Sequence, residues 1–454
     1  MTNDECPVTD EQSLAGVEDS PFVTRLSSFP SAAVVNPLPQ RYVTTDGGIG
    51  GRIKVRPEDF LVEELPLYEP EGVGEHLYLG IEKTEVAHGE LMSCIRRHFN
   101  VTDKAIGFAG MKDKMGVTRQ MVSVHLIGEP PSVEIPHKRI RVLWAKRHRN
   151  KLRMGHLAGN RFNIRIRDVE PVQVDAARRT LDRLHATGVP NYFGAQRFGY
   201  RCNNHLIGAA FLKGDWRGLL EQLLGSTGAI LPEYQRQRRE LFDAGKHAEA
   251  AELWTVADRA ERIACQALAR GRKNKDACVR IGENALSFWV SALQSAIFNR
   301  VLDHRLEQGL FNAFVQGDVA FKHDSRGMFS ITANELAGSE LAQRLAAKEI
   351  SPSGPLWGRG MMAAAPGSAV EVTERDALTA LGASIELMTE GNRAPEGTRR
   401  PLRVMLTNPR LDTGSDEHGS FIGVSFDLPR GAYATVVLRE IMKNDASEAA
   451  AETD

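Results

Sequence analysis

No apolar run in the chain approaches the roughly 20 residues that a membrane-spanning helix needs, so no bilayer crossing is expected. The stretch from Met1 to Asp19 is acidic and has neither a basic opening nor a hydrophobic core, so it does not read as a signal peptide. Cysteine is scarce. Its five copies (Cys6, Cys94, Cys202, Cys265, Cys278) are odd in number and include no Cys-x-x-Cys, which argues against a disulfide framework or a zinc knuckle. Reduced thiols in a cytoplasmic protein fit best. The thirteen histidines include no His-Glu-x-x-His spacing, and no metal is expected. Net charge is also nearly absent, at −1, so the total says nothing about nucleic acid. No internal repeat is visible.

The distribution of charge says more. Eleven lysines and arginines lie between Lys138 and Arg167 with no Asp or Glu among them. A block of one sign on this scale suggests a polyanion-binding surface, although a solvated strand face would carry the same residues. At 454 residues the chain is long enough for two or three domains and a large core. Residues 1–51 mix Pro, Ser, Asp, Glu and Gly and end in Gly47-Gly48-Ile49-Gly50-Gly51. They read as a poorly ordered extension with a flexible hinge. The glycines lack the Lys-Ser/Thr ending of a phosphate loop.

Alternating and helical periodicities place the rest. Strands are expected over 59–65 and 76–83, the second with Leu77, Leu79 and Ile81 inward. A helix is expected over 88–99, then strands over 139–142 and 160–167. Along the latter, Asn160, Phe162, Ile164 and Ile166 share one face, and Arg161, Arg165 and Arg167 the other. Helices follow over 172–186 and 206–224, a strongly helical stretch over 231–278, and a helix over 287–306. Residues 313–400 read as short strands and turns with a helix near 336–347. Returning strands over 401–406 and 421–428, a helix over 435–443 and an acidic tail close the chain.

The loop Gly110-Met111-Lys112-Asp113-Lys114-Met115-Gly116 sets a lone acid between two lysines, flanked by the strand-like runs 106–109 and 121–126. A carboxylate at a strand–loop junction between cations can stay ionised in a partly dry cleft, as an aspartate nucleophile must. An Asp in a loop is far more often a simple turn residue, so this pattern alone leaves both readings open.

The whole string Gly110-Met-Lys-Asp-Lys-Met-Gly-Val-Thr-Arg-Gln120 resembles the catalytic motif of the tRNA pseudouridine synthase D family, Gly-x-Lys-Asp-x-x-Ala-x-Thr-x-Gln, with Gly116 where alanine is usual. Four more segments resemble that family, in its order: Lys54 to Glu64 (Lys-x-x-Pro-Glu-Asp-Phe-x-Val-x-Glu), Gly159-Asn160-Arg161-Phe162, Asn191 to Gly199 (Asn-Tyr-Phe-Gly-x-Gln-Arg-Phe-Gly), and Phe426 to Thr435. Ser287 to Asn299 resembles a packing helix of its inserted domain. The resemblance implies that Asp113 is the catalytic aspartate. It implies that Lys54 holds that aspartate ionised, that Asn160 orients it, and that Phe60, Phe162 and Tyr433 line the substrate pocket. Lys112, Arg161, Arg165 and Arg197 are candidate RNA contacts. The segment 188–199 is read chiefly as a packed junction between domains.

The implied fold is α+β. A pseudouridine synthase catalytic domain with a mixed, largely antiparallel sheet (52–186 with 401–444) is interrupted by an inserted α/β domain (187–400). Residues 1–51 are a disordered extension and 445–454 an acidic tail. The implied reaction is isomerisation of uridine, at position 13 in the D-arm of tRNA, with no cofactor and no metal. The partner is tRNA, and a cytoplasmic monomer is expected. The rival reading is a non-catalytic RNA-binding or RNA-folding protein on the same scaffold. It requires Asp113, Asn160 or the Phe60 segment to be degraded, and all are intact.

Overall fold

The computed structural model describes residues 36–444 apart from 131, 228 and 229. Eight strands form the main sheet: β1 (Phe60–Pro66), β2 (His76–Thr84), β3 (Ile106–Phe108), β4 (Val117–His125), β5 (Ile140–His148), β6 (Leu157–Arg167), β7 (Thr407–Asp416) and β8 (Gly419–Pro429). Their order is β7-β8-β6-β1-β4-β2-β5, with β3 also on β4. Every pairing is antiparallel except β1 with β4. The fold is thus α+β with a mixed sheet.

One junction positions the site. Strand β4 is shared along one edge: β1 takes Val117 to Arg119, and β3 takes Val122 to Val124. The polypeptide from 109 to 116 leaves β3 and returns to the start of β4, so it crosses over the place where β1 and β3 part.

The chain between β6 and β7 is largely helical. The long helix Glu283–Glu307 is buried along most of its length and packs against the helix Asn204–Lys213, with which it shares a close approach at Gly208. A smaller sheet, formed by Val319–Lys322, Met328–Ser330, Ile350–Leu356 and Thr398–Pro401, completes this part. The segment after Pro190 packs against the long helix: the Tyr192 hydroxyl donates to Asp303 at 2.6 Å, and the Phe193 backbone N–H donates to Asn299 at 2.9 Å. No helix among the described residues is long and apolar enough to cross a membrane.

Three local readings need correction. Residues 36–51 are not a loose extension. The Ile49 and Gly50 N–H groups donate to the Ile441 and Met442 carbonyls at 3.1 and 2.9 Å. Glu440 accepts from the Val43 and Thr44 backbone and the Thr44 hydroxyl. The glycine run is therefore a fixed strap on the last helix, Ala434–Met442; residues 1–35 lie outside the described residues. The helix expected over 206–224 is two, because Gly214 turns left-handed (φ +74°) and Asp215 caps the second by accepting from Gly218 at 2.9 Å. Strand β7 was not expected. It is a mostly exposed edge strand, so its residues carry no apolar alternation to find.

Candidate active site

The sheet face beneath the 109–116 loop carries an unusual row for a buried surface. Register places Lys83 of β2 beside Thr118 of β4, Val62 of β1, Phe162 of β6 and Phe426 of β8. One step along lie Gln120, Glu64, Asn160 and Leu428. Lys83 has no exposed surface and Glu64 only 6%.

Two lysines tie the loop down to this row. The Lys83 Nζ donates to the Val86 carbonyl at 2.7 Å and to the Asp113 carbonyl at 2.6 Å. The Lys112 side chain, 7% exposed, turns into the sheet. There it lies 3.3 Å from Glu64 Oε2 and donates to Asn160 Oδ1. Glu64 also accepts from the Met121 N–H at 3.4 Å, where β4 has lost β1 and not yet gained β3. Burial pushes the Lys83 pKa down to about 8; the Asp113 charge opposes that shift and the Lys112 charge adds to it. Burial likewise pushes Lys112 down and Glu64 up, each partly restored by the other. The Glu64 carboxylate and Asn160 amide satisfy Lys112, and two carbonyls satisfy Lys83. An interior ammonium requires partners of this kind.

Consecutive residues thus point in opposite directions. Lys112 plugs into the sheet, and Asp113 is exposed. Its carboxylate takes no hydrogen bond from the described residues, while its own carbonyl is clamped from below. Next along the loop, Lys114, Met115 and Gly116 line a cleft of about 360 Å³ with Lys54, Arg56 and Arg139. A larger cavity of about 500 Å³ lies between the long helix and residues 365–374. Its Arg305 and Asp318 are spent on each other at 2.9 Å, whereas Lys54 and Lys114 of the smaller cleft, which begins one residue after Asp113, pair with no acid among the described residues.

Gly116 has φ +104°, and a Cβ there would meet the Phe60 carbonyl at 2.4 Å. The glycine lets the loop end press on the strand that carries Phe60. Lys54 is also left-handed (φ 57°), uncommon for a long side chain, and its Nζ lies 4.6 Å over the Phe60 ring.

The structure alters several expected contacts. Asp113 is exposed rather than held in a dry cleft. Lys54 makes no ion pair with it; its ammonium rests on Phe60. The Asn160 amide nitrogen makes no hydrogen bond to Asp113 among the described residues; the amide oxygen instead accepts from the buried Lys112 cation. Lys112 itself is internal and offers no charge to RNA. Phe60 and Phe162 are 4% and 7% exposed. Phe162 lies 5.5 Å from Phe426, and Tyr433 lies 6.1 Å from Phe193.

Arg161 and Arg165 lie on the opposite sheet face, engaged by acids from the β7–β8 hairpin. Arg161 grips Asp427 through two bonds of 2.8 and 2.9 Å. Arg165 reaches Asp416 at 3.5 Å and rests on Phe421. Their neighbour Arg167 joins Asp59 and Asp416. Arg197 donates to the Ser291 hydroxyl at 3.2 Å and has no acid partner among the described residues.

Lys83 and Glu64 are the site residues that sequence reasoning missed. The same alternation that turns Leu77, Leu79 and Ile81 inward also turns Lys83 inward, and Phe60, Val62 and Glu64 form the equivalent series. A charged residue in phase with a buried face was the available signal. Among the described residues no three His, Cys, Asp or Glu side chains converge as metal ligands.

Comparison with known proteins agrees with the motifs. A family profile described as tRNA pseudouridine synthase D (TruD) matches residues 39–441. The chain is 41% identical to the tRNA pseudouridine synthase D of Geobacter sulfurreducens, over 90% of this chain and 98% of that one. It is 39% identical to that of Syntrophotalea carbinolica, over 88% and 97%. A crystal structure from Methanosarcina mazei, described as a tRNA pseudouridine synthase D, superposes with a TM-score of 0.75 at 27% identity, covering 91% of this chain and 98% of that one. The profile and the full-length relatives, together with the loop and its supporting row, establish that the chain belongs to the tRNA pseudouridine synthase D (TruD) family, a family of isomerases.

Proposed function

We propose that the protein isomerises uridine-13 in the D-arm of tRNA to pseudouridine, with Asp113 acting at the sugar. The observation that carries this reading is the loop pinned from beneath. Lys83 and the Lys112–Glu64–Asn160 group fix the backbone at Lys112 and Asp113, next to the residues that line the cleft, so the exposed Asp113 carboxylate is held at little reorganisation cost.

In the reaction the N1–C1′ bond of the nucleotide breaks, the uracil turns, and C5 bonds to C1′. The C5 proton leaves to solvent and N1 takes up a proton, so atoms balance without an oxidant or a phosphoryl donor. Asp113 serves either by adding to C1′ as the base departs or by deprotonating C2′ to give a glycal-like species. The target must leave its stack, at a cost of a few kcal/mol. Contacts with the phosphate backbone offset that cost. Phe60, Phe162 and Tyr433 form the aromatic side of the pocket, and Lys54 supplies a cation above Phe60.

The test is release of tritium from carbon-5-labelled uridine in unmodified tRNA, followed by mapping of the modified position. Wild-type protein releases label from uridine-13. Asp113→Asn loses turnover, by roughly a thousandfold or more, while tRNA affinity stays near wild type. Turnover in a cleanly purified Asp113→Asn protein would remove Asp113 from the chemistry. Label released from another position would remove uridine-13.

A further inference from the structure

Where the helical insertion meets the turn after β8, four arginines gather with no carboxylate. Arg197 follows the 188–194 segment, Arg326 tops the hairpin between Val319–Lys322 and Met328–Ser330, Arg400 ends the last strand of the small sheet, and Arg430 follows β8. None of them pairs with an acid among the described residues. Arg161, Arg165, Arg167, Arg305 and Arg399, by contrast, all have acid partners. The nearest acid in sequence, Asp324, spends its carboxylate on the Ser325 N–H.

Arg197 and Arg400 share the Phe193 ring, and Arg400 reaches the carbonyl of Gly431, the residue after Arg430. The Arg400 pKa is lowered to about 10, first by burial and further by Arg197 and Arg326, with Tyr433 opposing. Arg326 is lowered by desolvation and then by Arg430. All stay charged at neutral pH. Aromatic faces support two of them: Arg400 lies 4.1 Å and Arg197 5.5 Å from the Phe193 ring centroid. Arg326 is left-handed, at φ 62°, an uncommon conformation for such a side chain. Mutual repulsion without an internal counterion is unfavourable, and an external polyanion relieves it.

The cluster is tied to the catalytic loop. Arg400 donates to the Gly431 carbonyl at 2.8 Å, in the turn that leads to Tyr433. Arg430 donates to the Gly155 carbonyl, and the Gly155 N–H donates to Ala109 at 2.7 Å, just before Gly110. An anion bound at Arg430 is linked through two hydrogen bonds, by way of Gly155, to the segment that presents Asp113.

We infer that Arg197, Arg326, Arg400 and Arg430 form a clamp for the consecutive backbone phosphates that flank the extruded uridine in the substrate RNA. This rests on the pseudouridine synthase reading and adds the device that holds the target open. Turning a nucleotide out of its stack crowds its flanking phosphates, and a compact set of guanidiniums offsets that repulsion. Arg400 uses Nε and Nη2 on Asn191 and Gly431, so it is fixed in place, and the exposed Arg326 and Arg430 supply the outer contacts.

Binding of unmodified tRNA is measured across a salt series in the Asp113→Asn background, with Arg326→Ala, Arg430→Ala and the pair added. Arg326 is exposed and its side chain makes no hydrogen bond to the described residues, so Arg326→Ala retains the fold. The pair is expected to weaken binding about tenfold at 0.1 M salt and to flatten the log K against log [salt] slope by about 1.5, at 0.7–0.9 per lost phosphate contact. Arg326→Ala alone gives about half that slope change, and the surface control Arg217→Ala gives none. A neutral methylphosphonate beside the target uridine weakens the parent but not the pair. Unchanged affinity and slope in the pair, or equal methylphosphonate sensitivity in parent and pair, would overturn the clamp. Tritium release by wild type is scored separately: its absence sinks the enzyme reading, and its presence with an unchanged slope sinks only the clamp.

Discussion

The two faces of strand β6 hold the same chemistry to different ends. On one face Asn160 joins Lys112 and Glu64 under the 109–116 loop. On the other, Arg161, Arg165 and Arg167 join Asp427, Asp416 and Asp59. Both sets are charges that satisfy one another. The first lies under a backbone that needs to be held at a cleft, and the second fastens a terminal hairpin to the sheet. A cation's role follows from what its partner is attached to, and charge density along the chain is silent on that.

The largest expected effect beyond Asp113 itself is at Lys83. It acts as a positioning residue, because among the described residues its ammonium donates only to the Asp113 and Val86 carbonyls. In Lys83→Met the loop loses its clamp. A displacement near 1 Å costs about a hundredfold in rate, so kcat falls by about that factor. The KM for tRNA stays near wild type, because the proposed phosphate contacts are elsewhere. Stability also stays close to wild type, since removing a buried ammonium offsets the lost bonds. Steady-state kinetics alongside thermal melts check this. A raised KM with kcat intact would mean that Lys83 supports binding rather than geometry.

Arg167→Met tests the other face. Arg167 is 2% exposed in its side chain and Asp59 is fully buried. Loss of the guanidinium leaves a carboxylate in the interior and costs about 3–5 kcal/mol of stability, read by urea unfolding. The folded fraction keeps its kcat and its tRNA affinity. A variant that melts like wild type but turns over slowly would dissolve the distinction between the faces.

Much of this was legible beforehand, and the failures have physical causes. Alternation in 59–65 and 76–83 gave the strands beneath the site. The same alternation carried Lys83 and Glu64 inward, and only the habit of assigning charge to solvent hid them. The motif singled out Asp113 as the candidate, but not its setting, because Lys112 and Asp113 are neighbours whose opposite directions depend on Glu64 and Asn160 from distant strands. The end of the basic block shows the same dependence on distant residues. The acids that engage Arg165 and Arg161, Asp416 and Asp427, lie some 250 residues further along and meet them only through the β7–β8 hairpin. The four arginines of the clamp are spread from 197 to 430, so no window of sequence could gather them.

The smallest expected effect draws the sharpest line. Arg165 belongs to the densest basic stretch of the sequence, and its side chain is 43% exposed. It would contribute to RNA binding if local charge density decided the matter. Its guanidinium instead lies 4.6 Å over Phe421, 3.5 Å from Asp416, on the sheet face away from Asn160 and Asp113. Arg165→Ala is therefore expected to change tRNA affinity by no more than about twofold and to leave the salt slope where it was, because no counterion release is lost. Measured beside Arg326→Ala under the same salt series, the two substitutions each remove one positive charge. A slope change in Arg165→Ala as large as in Arg326→Ala would mean that the RNA reads charge wherever it is exposed. A change confined to Arg326→Ala would mean that it reads only charge the fold has left without a partner.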